Sequence, residues 1–127
     1  MKVFTTFLFL VATSANASTF DERVIGAKAA LETEQGKIYE QKLGPFIYEA
    51  IKICVPVGSS SKENLGKFAL VADVSLGGKI SNSIVKPETS VSNCFRENFG
   101  LQVLPSPPVS LVFEGVAPII VEMDIVP

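Results

Sequence analysis

The sequence predicts a small α+β domain: a three-stranded sheet of order 2-1-3, with helices packed on one face. The segment Lys67–Ser75 alternates apolar side chains on one face, as a strand does. Gly77-Gly78 follows and favours a β-hairpin, because glycine accepts positive φ. A segment with helical spacing and a last apolar strand come after the hairpin. With a helix before the hairpin, the predicted order is α-β-β-α-β.

The first 17 residues have the layout of a secretory signal peptide. Lys2 supplies a positive charge, Val3–Ala12 is mostly apolar, and the small-x-small pattern at Ala15-Asn16-Ala17 predicts cleavage after Ala17. The apolar run is shorter than the roughly 20 residues that span a bilayer. We therefore expect a mature chain from Ser18 onward, periplasmic or secreted, with no transmembrane segment after cleavage. An uncleaved membrane anchor is the alternative.

The mature chain divides at a predicted helix break. Residues 18–44 favour helix by composition and form an N-terminal helical segment, which Gly44-Pro45 should end. The domain proper, residues 45–127, begins with Pro45 at the first position of a new helix. The apolar stripe of that helix falls at helical spacing: Ile47, Ala50, Ile51 and Cys54.

Three strands follow from the pattern after this helix. Lys79–Lys86 is the returning strand of the hairpin, with Ile80 and Ile84 on one face. Pro118–Val126 is the third strand and follows a short helix that Thr89 or Ser90 caps. Because a helical crossover returns the chain parallel to the previous strand, the third strand should run parallel to the second and lie beside the first. Its acidic residues, Glu122 and Asp124, would then lie on an edge strand.

The inward-facing apolar side chains of these elements form the predicted core. They are Phe68, Leu70, Val74, Ile80, Ile84, Phe95, Phe99, Val121 and Met123.

The two cysteines, Cys54 and Cys94, predict a disulfide if the chain is exported, since an even cysteine count in an oxidising compartment usually means a bridge. Both lie on apolar faces of predicted helices. Closing a loop of about 40 residues stabilises a fold by roughly 4 kcal/mol in the chain-entropy model. The alternatives are a metal site, a reactive thiol, or the burial of two unbridged cysteines. The first two are disfavoured because the chain has no His and no C-x-x-C pair.

Residues that could carry catalysis are few. The lack of His excludes Ser-His-Asp and Cys-His pairs and His-ligated zinc. Asp73 on the central strand could be a general acid or base, although such a residue is more commonly a surface or helix-cap carboxylate. Ser59-Ser60-Ser61 has no base to activate it and should solvate a loop. We expect no enzymatic activity and no catalytic, cofactor-binding or metal-ligating residues.

The charged residues and the proline-rich segment indicate which kinds of binding partner the chain could have. Lys plus Arg total 11 against 13 for Asp plus Glu, so the basic excess of nucleic-acid-binding proteins is missing. Lys86, Glu88 and Arg96 are expected to form a solvated charged face. The prolines of Pro105-Ser106-Pro107-Pro108 either present a polyproline ligand to a partner or stiffen a connection.

Several segments between Ile47 and Ile125 occur in an order typical of one family. They are the helix ending in Cys54, the strand Phe68–Val74, the turn Gly77-Gly78-Lys79-Ile80, the helix with Cys94-Phe95, the exit Leu104–Pro108 and the last strand. In these segments the chain resembles the TonB C-terminal domain superfamily, in particular its periplasmic AgmX/PglI-like variant. Leu104 replaces the aromatic residue usual before the exit proline, and we expect no membrane anchor. The resemblance implies the fold and a bacterial periplasmic compartment, without energy transduction.

Two classes of function remain open. The first is a small exported, non-enzymatic interaction module that binds an envelope protein or peptide through a sheet edge or the Pro-rich loop. The second is a small exported ligand-binding or hydrolase-like protein, for which no catalytic constellation is visible. A flat sheet with a free edge would favour the first class. A concave pocket with converging polar groups would favour the second.

Overall fold

The computed structural model describes residues 19–55 and 65–126. The elements in chain order are α1 (Phe20–Leu31), α2 (Glu34–Cys54), β1 (Gly66–Ser75), β2 (Ile80–Lys86), α3 (Ser90–Gly100), a 3-10 turn (Val109–Leu111) and β3 (Val116–Ile125). The predicted α+β class and the α-β-β-α-β order are confirmed, with α1 as an additional helix at the start. The predicted signal peptide, residues 1–17, lies outside the described residues.

The sheet has the predicted order β2-β1-β3, with β1 at the centre. β1 pairs antiparallel with both neighbours. Its register with β3 is uninterrupted, from Gly66 opposite Ile125 to Ser75 opposite Val116. β3 therefore runs in the same direction as β2, as the crossover predicts. The two strands do not pair, so the described sheet is antiparallel throughout.

The main core lies between one face of the sheet and the helices α2 and α3. The ring centroid of Phe95 lies 5.7 Å from that of Phe68 on β1 and 5.2 Å from that of Phe99. Tyr39 and Leu43 of α2 are buried in the same cluster. Of the predicted core residues, Met123 is half-buried at the margin and the others pack here, with the exception of Ile84.

The opposite face of the sheet is also apolar, and α1 covers it. Ala27 and Leu31 of α1 are buried against Val71 of β1 and Ile120 of β3. The prediction of helices on one face therefore holds for α2 and α3 but is wrong for α1. The physical reason is that β1 presents apolar side chains on both faces, and each face needs a helix to cover it.

The predicted helix break at Gly44-Pro45 is also wrong, because α2 continues through Pro45 and across the predicted boundary between residues 44 and 45. The chain instead turns between α1 and α2, where the Thr33 hydroxyl caps α2 by accepting from the Gly36 N–H at 3.0 Å. Pro45 is exposed, while Leu43 and Ala50 before and after it are buried. A continuous buried face thus outweighs the helix-breaking tendency of proline.

The hairpin between β1 and β2 has the loop Leu76-Gly77-Gly78, one residue longer than predicted. The Ser75 N–H donates to the Lys79 carbonyl at 2.9 Å, and the Gly78 N–H donates to the Ser75 carbonyl at 2.8 Å. Gly78 alone in this loop has a left-handed φ, of 86°. The N–H of Leu104 donates to the Gly78 carbonyl at 2.9 Å, and a Cβ on Gly78 would overlap the Leu104 backbone.

A β-bulge at Asn82, which has a φ of 54°, changes which side chains of β2 face the core. The register shifts between the pair Val71–Ile84 and the pair Asp73–Ser81. An extra residue in a strand reverses its alternation beyond that point. Val85 consequently faces the main core, whereas Ile84 lies on the opposite face and is 39% exposed. The predicted core position of Ile84 is therefore wrong.

A disulfide joins α2 to α3, as predicted. Cys54 is the last residue of α2 and Cys94 lies within α3, with 5.7 Å between their Cα atoms. Both sulfurs are taken up by this bond. The metal-site and reactive-thiol alternatives are therefore not realised in this structure.

The close contact at Gly78 predicts unequal effects at two adjacent glycines. Gly78→Ala should lower the free energy of unfolding by about 2 kcal/mol or more, because the methyl group meets the Leu104 backbone and the φ is strained. Gly77→Ala is the matched control and should change it by less than about 0.5 kcal/mol, because a Cβ there lies 3.8 Å from the nearest atom, the Ser75 Oγ. Urea denaturation measures both, and equal losses would contradict this account of the turn.

Candidate functional site

A groove lies on the second face of the sheet, because α1 packs mainly over β3 and β1 and leaves the outer face of β2 uncovered. We call it the outer groove. Its lining residues come from α1, all three strands and the turn before β3: Arg23, Gly26, Val71, Ala72, Asp73, Asn82, Ser83, Ile84, Phe113, Glu114, Val116, Pro118 and Ile119. It is open to solvent and has a volume of about 790 Å³.

Three polar side chains converge in the outer groove. Asp73 Oδ2 accepts a hydrogen bond from Asn82 Nδ2 at 3.1 Å. Arg23 Nη2 lies 3.7 Å from Asp73 Oδ1, which is close enough for an ion pair but too far for a hydrogen bond. That nitrogen is buried and has no hydrogen-bond partner among the described residues. The Asp73 carboxylate is thus held in place and can still accept further hydrogen bonds.

The rim of the outer groove carries an exposed aromatic ring on a tight turn. Phe113 and Val116 exchange backbone hydrogen bonds of 2.8 and 3.2 Å around Glu114 and Gly115. Both turn residues have left-handed φ values, 52° for Glu114 and 89° for Gly115. The side chain of Phe113 is nevertheless 75% exposed. The turn therefore holds an aromatic side chain in solvent, beside the apolar Pro118.

The outer edge of β3 is the second candidate site. The Ser75 N–H bonds toward β2, and hydrogen-bonding direction alternates along a strand. The β3 residue opposite Ser75, and every second residue after it, therefore directs its backbone groups away from β1. These residues are Val116, Pro118, Ile120, Glu122 and Asp124.

Two further observations support this orientation. Val116 exchanges hydrogen bonds with Phe113, on the side of β3 that faces away from β1. Pro118, which has no backbone N–H, occupies an outward-directed position, so the pairing of β3 with β1 loses no hydrogen bond there. In the part of the chain that the structure describes, the N–H groups of Ile120, Glu122 and Asp124 have no strand beside them. They form an edge without a paired strand. The junction of α1 and α2 passes beside part of it, because Leu31, Glu32, Lys37 and Glu40 line a cleft together with Ile120 and Glu122.

The other edge of the sheet, along β2, is less suited to pairing. The bulge at Asn82 interrupts its hydrogen-bonding pattern. Lys79, the residue before β2, already forms a bridge with Val103. Of the two sheet edges, β3 therefore offers the longer regular one.

The Pro-rich loop predicted as a possible ligand is packed against the domain. Leu104 and Pro107 are buried. The buried Tyr39 hydroxyl donates to the Pro105 carbonyl at 2.9 Å. Burial raises the pKa of Tyr39 to about 12. The loop thus acts as a stiff connection onto α2, which disfavours its use as a polyproline ligand.

The remaining predicted residues do not come together as a site. Among the described residues, Lys86, Glu88 and Arg96 form no ion pair with one another. The Lys86 Nζ instead lies 5.3 Å from the centroid of the Phe20 ring. Ser59-Ser60-Ser61 falls outside the described residues.

Residues 19–55 and 65–126 contain neither a metal-ligand cluster nor a helix that could span a membrane. These segments contain no group of three or more His, Cys, Asp or Glu side chains that could hold a metal ion. They also contain no helix with the length and hydropathy needed to span a membrane.

Comparison with protein families, with curated proteins and with solved structures finds no match for this chain. The similarity to TonB C-terminal domains stays a prediction. Two features of the structure bear on function, the unpaired edge of β3 and the outer groove. Sequence reasoning identified Asp73 and the edge acids but missed Arg23 and Phe113. An aromatic residue before Glu114-Gly115, a dipeptide compatible with a tight turn, was the available signal for Phe113.

The hydrogen bond between Tyr39 and Pro105 predicts an alkaline stability effect. Tyr39→Phe should lower the free energy of unfolding at neutral pH by about 1 kcal/mol. The unfolded tyrosine ionises near pH 10, below the folded value, so the wild type should lose stability as the pH rises from about 10 to about 12. The Phe variant lacks this contribution, and its deficit should shrink over the same interval.

Tyr48→Phe serves as the control, because Tyr48 is 62% exposed. It should leave the pH dependence of the wild type unchanged. Urea denaturation at pH 8, 10 and 11.5 measures both variants. A pH-independent deficit for Tyr39→Phe would contradict the assigned role of the buried hydroxyl.

Proposed function

We propose that this protein is a small exported interaction module, without catalytic activity of its own, that binds an extended segment of an envelope protein or peptide along the unpaired edge of β3. The observation that carries the proposal is the run of outward-directed backbone groups at Ile120, Glu122 and Asp124. Strand addition uses such groups for affinity and the alternating side chains for specificity.

The side chains of β3 indicate what the added strand should look like. Met123 and Ile125 are half-buried at the margin of the main core. Glu122 and Asp124 are exposed on the other face. A partner strand should therefore alternate apolar residues, which extend the core, with basic residues beside the acids.

The acids also protect the edge when no partner is bound. Charged side chains and proline on an edge strand discourage pairing with unrelated strands, and β3 carries Pro118 as well as Glu122 and Asp124. Lys28 Nζ lies 3.4 Å from Glu122 Oε2, but both side chains are about half exposed, so this pair holds Glu122 only weakly. Glu122 thus stays available to a basic partner.

Export and compartment are part of the same proposal. A Cys54–Cys94 disulfide fits an oxidising compartment, and the first 17 residues resemble a signal peptide. The resemblance to periplasmic TonB C-terminal domains points the same way. We therefore propose that the module acts in the periplasm or outside the cell.

Site-specific photo-cross-linking in the native host tests the binding edge. A photoreactive amino acid at position 124 should yield covalent adducts, whereas the same group at position 97, an exposed position on α3, should not. Glu122→Pro should abolish the adducts, because it removes an outward N–H without breaking a bond to β1. Glu122→Gln keeps that N–H and should retain most of them.

Two results would contradict the proposal. One is an equal yield of adducts at positions 97 and 124. The other is an adduct at position 124 that survives Glu122→Pro in a variant that unfolds at the wild-type temperature.

A further inference from the structure

The outer groove contains features that the packing of the two cores does not require. The Phe113 ring is exposed although its backbone is fixed by two hydrogen bonds. The Asp73 carboxylate accepts a single hydrogen bond, from Asn82, among the described residues. Next to Gly26 the groove has free space, because a Cβ built there meets no atom within 4 Å.

The charges of the outer groove favour a cation. Two carboxylates, Asp73 and Glu114, line it against one guanidinium, Arg23. An aromatic ring such as Phe113 also attracts a cation placed over its face. The apolar lining, which includes Ile84 and Pro118, suits a hydrocarbon group.

An anion fits the same groove poorly. Arg23 is its one basic lining residue, and the Nη2 atom of this side chain is buried. Its charge already lies 3.7 Å from the Asp73 carboxylate. An incoming carboxylate would therefore meet the Glu114 carboxylate, which forms no ion pair among the described residues, and a guanidinium that is largely covered and already paired with Asp73.

We propose that the outer groove is a binding site for an ammonium or guanidinium group carried on an apolar arm. The cationic group donates a hydrogen bond to the Asp73 carboxylate, which Asn82 holds in position. The arm packs against Ile84 and Pro118, with the Phe113 ring at its outer end. This site is formed by side chains on the second face of the sheet and is separate from the backbone edge of β3.

The cationic group can belong to a free amine or to a Lys or Arg side chain of a peptide. Two probes distinguish them: 2-phenylethylammonium, and N-acetyl-phenylalanyl-lysine amide. The matched anionic probe is 3-phenylpropionate. Each is titrated into the full mature protein with its disulfide intact, while backbone amide NMR shifts are followed.

The expected result is saturable shifts at Asp73, Asn82 and Ile84 with at least one cationic probe, and none with 3-phenylpropionate. Binding of the amine alone or of both probes identifies a free amine as sufficient, whereas binding of the peptide alone identifies a peptide side chain. Binding of neither cationic probe overturns the proposal. Equal or tighter binding of the anion overturns it as well.

Two variants test the contacts in different ways. Asp73→Asn should weaken cation binding by about tenfold or more, because it removes the charged acceptor. Gly26→Leu fills the groove, keeps every charge and replaces a helix-interior glycine, so it should abolish binding while the thermal stability rises. Glu97→Gln, on the far side of the domain, is the charge-matched control and should leave the affinity unchanged.

If Asp73→Asn fails to fold, Gly26→Leu still tests the proposal. Unchanged affinity in a folded Asp73→Asn or Gly26→Leu variant would overturn the proposal. So would an equal loss of affinity in Glu97→Gln.

Discussion

The fold depends on one constraint, which is that the central strand β1 is apolar on both faces. Leu70 and Val74 point to one face and Val71 to the other, and all three are almost completely buried. Two layers of helix are therefore needed. The helices α2 and α3, tied by the Cys54–Cys94 bond, cover the first face and form the larger core. The single helix α1 covers the second face through a smaller cluster.

The unequal covering of the two faces explains where the outer groove lies. One helix of 12 residues cannot cover three strands, so α1 leaves the outer side of β2 open. The bulge at Asn82 turns Ile84 onto this open face, and the pairing of Arg23 with Asp73 borders it. The sheet has three strands, and no described segment pairs with the outer edge of β3. The outer groove thus follows from the incomplete covering of the second face by α1, whereas the unpaired edge of β3 lies beside the junction of α1 and α2.

The alternation of side chains in β1 and β3, the hairpin and the disulfide could be predicted from the sequence, because each depends on local pattern or on cysteine count. The course of α2 through Pro45 could not, since it depends on how Leu43 and Ala50 pack in the finished core. The bulge was missed for a similar reason: nothing in Ser81-Asn82-Ser83 marks an extra residue until the partner strand fixes the register. Of the candidate sites, the acidic edge strand was predictable from order and charge. The outer groove was not, because α1 was expected on the other face.

The central claim is that β3 pairs with β1 alone and leaves its other edge unpaired, and amide hydrogen exchange resolved by residue tests it most directly. The N–H groups of Val121 and Met123 point to β1 and should exchange slowly. Those of Glu122 and Asp124 point outward without a strand partner and should exchange much faster than those of Val121 and Met123. Slow exchange at all four positions would contradict the claim, because it would mean that another segment or a second chain occupies the edge.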